Sequence, residues 1–166
     1  MDIIEDVVAG WFNSKGYFLI KNLKSGVNEV DILAVKLDDN QKVSDAIHIE
    51  VQCSSNPIGY IGGTPSAKKR DASGVEVGVV AYIDKKFNNP KITGVVKSLI
   101  GNKYKKMFIC GKLKEEETIK YFKKNGIEVM RVWEIFKEIK ANEGDYKTGE
   151  VNRYHQLLHL NDQNQK

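Results

Sequence analysis

The chain has 166 residues, of which 41% are hydrophobic and 29% are charged. This length can bury one substantial core and is too short for two, so we expect a single main domain. The formal net charge is +4, but residues 68–124 carry 15 Lys or Arg against 6 Asp or Glu, and the rest of the chain is net acidic. A basic middle favours a polyanionic partner, although lysine-rich exposed helices would give the same pattern.

The cysteines and the hydropathy pattern exclude several classes of protein. Cys53 and Cys110 are too few and too far apart for a zinc cluster or a disulfide framework. The acidic start of the sequence is unlike a signal peptide, and no apolar run approaches the roughly 20 residues of a membrane-spanning helix. We therefore expect a cytoplasmic protein.

The first third of the chain predicts one helix and three strands. Apolar residues recur at helical spacing over residues 2–14, and Lys15-Gly16 ends this helix. Three runs rich in β-forming residues follow, at 17–21, 29–37 and 46–53. The polar turn 38–40 joins the last two, so the pattern predicts a three-stranded meander.

The rest of the chain alternates between helices and strands after a long loop. Residues 54–74 are rich in Gly, Ser, Pro and Lys and are predicted to form that loop. The segment 75–87 fits either a helix or a strand, and we favour a helix. A clearer helix runs from Pro90 to Gly101, with Asn89 as its N-cap. The remaining predicted elements are a strand at 106–110, a helix at 115–125, a strand at 127–132 and a helix at 133–141.

This order of elements predicts an α/β fold with a mixed central sheet flanked by helices, in the order α-β-β-β-α-β-α-β-α. Residues 1–141 are expected to form the domain, and residues 142–166 a polar C-terminal tail or a short docked helix. The architecture by itself does not indicate a function.

Acidic residues beside apolar strand segments are the chemical feature of the meander. Because side chains alternate along a strand, Glu50, Gln52 and His48 share one face of the third strand. Asp31 stands immediately before the apolar run of the preceding strand. If these two strands pair as a hairpin, Asp31 lies beside Glu50 or diagonal to it. The alternative is two polar residues that face solvent at strand ends.

Two carboxylates that meet in a partly buried site repel each other unless a cation neutralises them. Magnesium prefers oxygen ligands, binds through one or two carboxylates with several waters, and accepts phosphate oxygens. It then polarises a phosphodiester and lowers the pKa of the attacking water. Asp31 and Glu50 are therefore predicted to bind Mg²⁺ or Mn²⁺, with the backbone carbonyl of Val51 as a further ligand.

These residues resemble the PD-(D/E)XK nuclease superfamily, which contains restriction endonucleases and archaeal Holliday-junction resolvases. The resemblance covers residues 1–132 and consists of Glu5 in the first helix, Asp31, and Glu50-Val51-Gln52. It implies a restriction-endonuclease-like fold, in which the Asp and the Glu hold the metal and the first-helix Glu assists. Glu5 is equally explained as a first-turn acid that stabilises its helix.

The last motif residue of that family is normally a lysine that orients or activates water, and here it is Gln52. Glutamine orients a water by hydrogen bonding but supplies no charge. Lys21, Lys68 and Lys69 are candidates to supply that charge from elsewhere in the chain.

The resemblance implies a metal-dependent endonuclease that hydrolyses DNA phosphodiester bonds, and a homodimer would suit the cutting of two strands. Lys68, Lys69 and Arg70 are predicted to contact phosphates, although a flexible solvated loop would have the same composition. The main alternative is a catalytically inactive module with the nuclease fold that serves nucleic-acid binding or assembly. A third reading is a subunit whose partner supplies a missing element. His48 is read as a solvated or structural histidine.

Overall fold

A computed structural model describes residues 3–53, 72–111 and 116–141. In chain order the elements are α1 (Ile3–Ser14), β1 (Phe18–Ser25), β2 (Asn28–Leu37), β3 (Val43–Gln52), α2 (Ala72–Lys86), α3 (Pro90–Ile100), β4 (Lys105–Cys110), α4 (Glu116–Lys124), β5 (Ile127–Arg131) and α5 (Val132–Ala141). The predicted α/β class and order are confirmed, and two helices occupy the stretch between β3 and β4. The predicted tail, residues 142–166, lies outside the described residues.

Several predicted element bounds change in the structure, and strand β3 begins at Val43 instead of residue 46. Helix α2 begins at Ala72, so the end of the expected loop 54–74 is helical, and the rest of that loop lies outside the described residues. Strand β1 continues to Ser25, beyond the predicted end at Lys21. None of the described helices is both long and apolar enough to cross a membrane.

The five strands lie side by side in chain order, from β1 to β5. The pairs β1–β2 and β2–β3 are antiparallel, whereas β3–β4 and β4–β5 are parallel. Because β2 runs against β3, the beginning of β2 and the end of β3 lie at the same edge of the sheet. This edge also holds the carboxyl end of β4.

Both faces of the sheet are covered by helices. One core lies under α1 and α5 and includes Ile49 of β3. On the other face, one cluster lies under α2 and α4 and includes Phe108, and another lies under α3 and includes Leu33. Strand β3 is therefore buried on both sides, and the face that carries His48 and Glu50 is enclosed, with both residues fully buried.

The capping signals at α3 act as predicted. The side chain of Asn89 accepts a hydrogen bond from the Lys91 N–H at 3.0 Å. Pro90 occupies the first turn, where a backbone N–H would have no acceptor within the helix, so proline loses no hydrogen bond there. Gly101 ends the helix with φ at 85°, a conformation that glycine adopts without steric cost.

Candidate functional site

The structure brings Asp31 and Glu50 together at the shared edge of β2 and β3. The strands pair at Ile32 and Ile49, which places Asp31 and Glu50 as the next residues along the two strands. Asp31 Oδ2 accepts a hydrogen bond of 2.8 Å from the backbone N–H of Val51. The Asp31 side chain is 15% exposed and that of Glu50 is fully buried. The solvent-facing alternative for the two carboxyls is therefore wrong.

The β1–β2 hairpin is distorted at Asp31. Residues two apart on a regular strand face the same side, yet Ile32 packs in the core under α1 while Val30 packs in the core under α3. Opposite this point Asn22 has φ at 53°, in the left-handed region that asparagine tolerates better than most residues. The alternation of side chains along β2 is therefore interrupted at Asp31, whose side chain is directed toward β3 and Glu50.

Lys86, in the last turn of α2, reaches both carboxyl groups. Its Nζ lies 2.5 Å from Glu50 Oε2 and 3.4 Å from Asp31 Oδ1. The lysine stands three residues after Ile83 and seven after Val79, both of which are buried, so its stem follows the apolar stripe of the helix. One ammonium group therefore bridges residues of two different strands.

The two carboxyl groups hold their protons more tightly than isolated side chains do. Burial, and then the charge of Glu50, raise the pKa of Asp31 to about 6, while Lys86 opposes this shift. Burial raises the pKa of Glu50 to about 7, again against the effect of Lys86. Burial disfavours the Lys86 ammonium, but the two carboxylates outweigh it and raise its pKa. The pair thus needs positive charge in order to ionise fully.

His48 contacts the other oxygen of Glu50. Its Nε2 lies 3.0 Å from Glu50 Oε1, and its ring centroid lies 4.9 Å from that of Phe87. Burial, and then the charge of Lys106, lower the pKa of His48 to about 4, so the imidazole is neutral near pH 7. The reading of His48 as a solvated residue is wrong.

Gln52 and Lys21, which the sequence also suggested for the site, make contacts of their own. Gln52 is half-buried on β3, and its carbonyl accepts a hydrogen bond from Gly111 N–H. Lys21 forms an ion pair with Asp6 of α1, so it is not the cation at the two carboxyls. Lys68, Lys69 and Arg70 lie outside the described residues.

Two further assignments stay predictions. Val51 contacts the site through its N–H, and its carbonyl remains a predicted metal ligand. Glu5 lies half-buried in the first turn of α1, as predicted, and remains a predicted outer ligand.

Sequence reasoning missed Lys86 as a member of the site and missed the contact between His48 and Glu50. A signal for Lys86 was present, because a lysine on the apolar stripe of a helix has its stem in the core. For His48 the signal was its place two residues before Glu50, on the same strand face.

The donor atoms of the site suit a hard divalent cation. The described residues contain no group of three or more His, Cys, Asp or Glu side chains placed to hold a metal, so the side-chain donors here are two carboxylates. Asp31 Oδ1 and Glu50 Oε2 both face the Lys86 ammonium, which marks a position that favours positive charge. Two carboxylates, completed by waters and phosphate oxygens, are a common magnesium environment.

A small cleft opens beside these residues. Its volume is about 170 Å³, and it is lined by Val27, Asn28, Glu29, Lys85, Lys86 and Ile92. This is below the roughly 300–1,000 Å³ of pockets that enclose whole small ligands. The cleft therefore suits part of a larger molecule.

Comparison with known proteins leaves the family open. No family model matches the chain. No curated protein matches it significantly. A solved structure of a protein of unknown function is 15% identical with a TM-score of 0.45, and the match covers 78% of this chain and 58% of that one. A repair endonuclease from Pyrococcus abyssi is 15% identical with a TM-score of 0.38, and the match covers 79% of this chain and 46% of that one.

The chain thus spans about half the length of these two similar structures.

Proposed function

We propose that the protein is a metal-dependent nuclease that hydrolyses DNA phosphodiester bonds, with Asp31 and Glu50 as its metal ligands. The observation that carries this proposal is the convergence of Asp31 Oδ1 and Glu50 Oε2 on one cation, the Lys86 ammonium. Burying two acids from separate strands side by side costs free energy. Such pairs are typical of functional sites whose chemistry depends on charge.

The chain's own residues prepare the site for the ion. Asp31 would bind through Oδ1, because the Val51 N–H already occupies Oδ2 and fixes the carboxyl plane. Glu50 would bind through Oε2, and the Val51 carbonyl would add a third oxygen. When bound, Mg²⁺ or Mn²⁺ polarises the phosphodiester and makes its water more acidic.

Lys86 would supply the positive charge that Gln52 lacks. The Lys86 side chain is 25% exposed and its stem is flexible, so its ammonium could contact a phosphate oxygen while it stays near both acids. The Gln52 amide would orient the attacking water by hydrogen bonding. The two functions of the usual motif lysine would thus be divided between a strand residue and a helix residue.

The substrate assignment rests on charge. Lys85 lines the cleft next to Lys86, which provides a second cation for a neighbouring phosphate. Lys68, Lys69 and Arg70 are proposed as further phosphate contacts, and such contacts make binding salt-dependent. A homodimer would place two sites on a duplex.

One observation favours the alternative of a non-catalytic nucleic-acid-binding or assembly module. The Lys86 ammonium already offsets part of the charge of Asp31 and Glu50 without a divalent ion. A fold that has lost its metal could keep such an ion pair for stability alone.

The two candidates separate in one experiment. The protein is incubated with supercoiled plasmid and with branched and single-stranded oligonucleotides, in Mg²⁺ and in Mn²⁺. Glu50→Gln removes one proposed ligand. The matched control is Glu76→Gln, which removes an acid of α2 that is 41% exposed and pairs with Lys124 of α4. Cleavage that only Glu50→Gln abolishes supports the nuclease. Salt-sensitive binding without any product supports the module instead.

A further inference from the structure

We infer that His48 is a positioning residue that fixes Glu50 so that one oxygen, Oε2, is presented to the cation. This inference rests on the proposed function. His48 is fully buried, and its Nε2 lies 3.0 Å from Glu50 Oε1. The two oxygens of Glu50 therefore have different partners, because His48 contacts Oε1 and the Lys86 ammonium contacts Oε2.

The hydrogen-bonding pattern around the imidazole selects its tautomer. A neutral imidazole carries one proton, on Nε2 or on Nδ1. His48 Nδ1 is buried and has no hydrogen-bond partner among the residues that the structure describes, so a proton there would be an unsatisfied donor. A proton on Nε2 instead donates to Glu50 Oε1 and leaves only a bare acceptor at Nδ1. His48 is therefore the donor, and Glu50 Oε1 is the acceptor.

The last turn of α2 and the residue that follows it control both oxygens of Glu50. Phe87 holds the imidazole from the helix side, with a ring separation of 4.9 Å and an interplanar angle of 48°. Its chain neighbour Lys86 contacts Oε2 directly. The segment that carries Lys86 therefore also orients His48, through Phe87. With both oxygens held, the Glu50 carboxyl group has little freedom to turn both of them toward a metal.

A hydrogen-bonded partner of this kind sets how well a carboxylate is oriented for its metal. Loss of such a partner typically weakens metal binding about 10–100-fold. The expected consequence of losing His48 is therefore weaker metal binding by a protein that is still folded. A purely structural histidine would change thermal stability and leave the metal affinity of the folded protein as it was.

The test measures Mn²⁺ binding by calorimetry for the wild type, His48→Leu and His48→Gln. The Leu side chain removes the donor, whereas the Gln amide nitrogen can reach the position of Nε2. We expect His48→Leu to bind Mn²⁺ about 10–100-fold more weakly and His48→Gln to restore most of that loss. Thermal melts of all three proteins report folding separately.

The outcomes distinguish this inference from the proposed function. Mn²⁺ binding by the wild type that His48→Leu leaves unchanged overturns the role of His48 alone. No Mn²⁺ uptake by the wild type overturns the metal site and the role of His48 with it. If His48→Leu fails to fold, nitrogen-15 NMR of the wild type decides, because a proton on Nε2 supports the assignment and one on Nδ1 overturns it.

Discussion

Lys86 Nζ lies 2.5 Å from Glu50 Oε2, which joins the end of helix α2 to the end of strand β3. The same nitrogen is 3.4 Å from Asp31 Oδ1. A residue that is remote in the sequence therefore supplies the cation beside both carboxyl groups.

Replacement of Lys86 should reduce cleavage without weakening metal binding. In Lys86→Met the apolar stem is largely kept and the ammonium is lost, so kcat should fall about 10²–10³-fold. Mn²⁺ should bind at least as tightly as in the wild type, because a competing cation has been removed from Asp31 and Glu50. Lys85→Met, which removes the neighbouring lysine of the cleft, is the control and should affect mainly KM. Full cleavage by Lys86→Met would rule out the proposed role.

Lysine at position 52 should compensate for the loss of Lys86. Gln52 lies two residues after Glu50 on β3, and that is where the motif lysine of the resembling family stands. The double variant Lys86→Met/Gln52→Lys should therefore regain at least tenfold of the lost plasmid cleavage, since one charged donor is worth about 10²–10³-fold. A double variant as inactive as Lys86→Met would show that the helix lysine acts from a position that β3 cannot supply.

The stability of the metal-free protein should depend on pH through Glu50. Its pKa of about 7 in the folded chain exceeds its ordinary value of 4.5, so the folded state retains a proton that the unfolded state releases. The stabilisation from this proton is complete below about pH 4.5 and is lost as the pH rises through about 7. Glu50→Gln cannot ionise and escapes this loss.

The measurement is urea unfolding of the wild type and Glu50→Gln between about pH 4 and pH 8, without metal. The free energy of unfolding of the variant should rise relative to the wild type by about 3 kcal/mol across this range. Because both proteins contain His48, its own protonation largely cancels in the difference. A difference that is flat with pH would mean that Glu50 ionises like an exposed acid.

The cap of α3 provides a prediction about the fold alone. Asn89→Ala removes the acceptor of the Lys91 N–H, so the free energy of unfolding should fall by about 1 kcal/mol. Asn89→Ser keeps a side-chain acceptor and should retain most of that energy. Chemical denaturation measures both, and equal stability of the Ala variant and the wild type would contradict the cap.

The acidic pair was predictable because its two partners follow local rules. Alternation along β3 indicated the face of Glu50, and the polar turn at 38–40 indicated a hairpin. Such a hairpin was expected to bring Asp31 beside Glu50 or diagonal to it, and the register itself came from the structure. The contacts of Lys86 and His48 were not predictable in the same way. Lys86 meets Asp31 across 55 residues of chain, and the position of α2 over the sheet is not encoded in either segment alone.

The sequence indicated the order of the helices and strands, because hydrophobic periodicity and turn chemistry act over a few neighbouring residues. It also predicted that Asp31 lies beside Glu50 or diagonal to it, on condition that β2 and β3 form a hairpin. Tertiary structure alone decided that the polar face of β3 is enclosed, that Lys86 is the cation there, and that His48 bonds to Glu50. These features depend on how α2 packs on the sheet, and packing is settled by the sum of many contacts between distant segments.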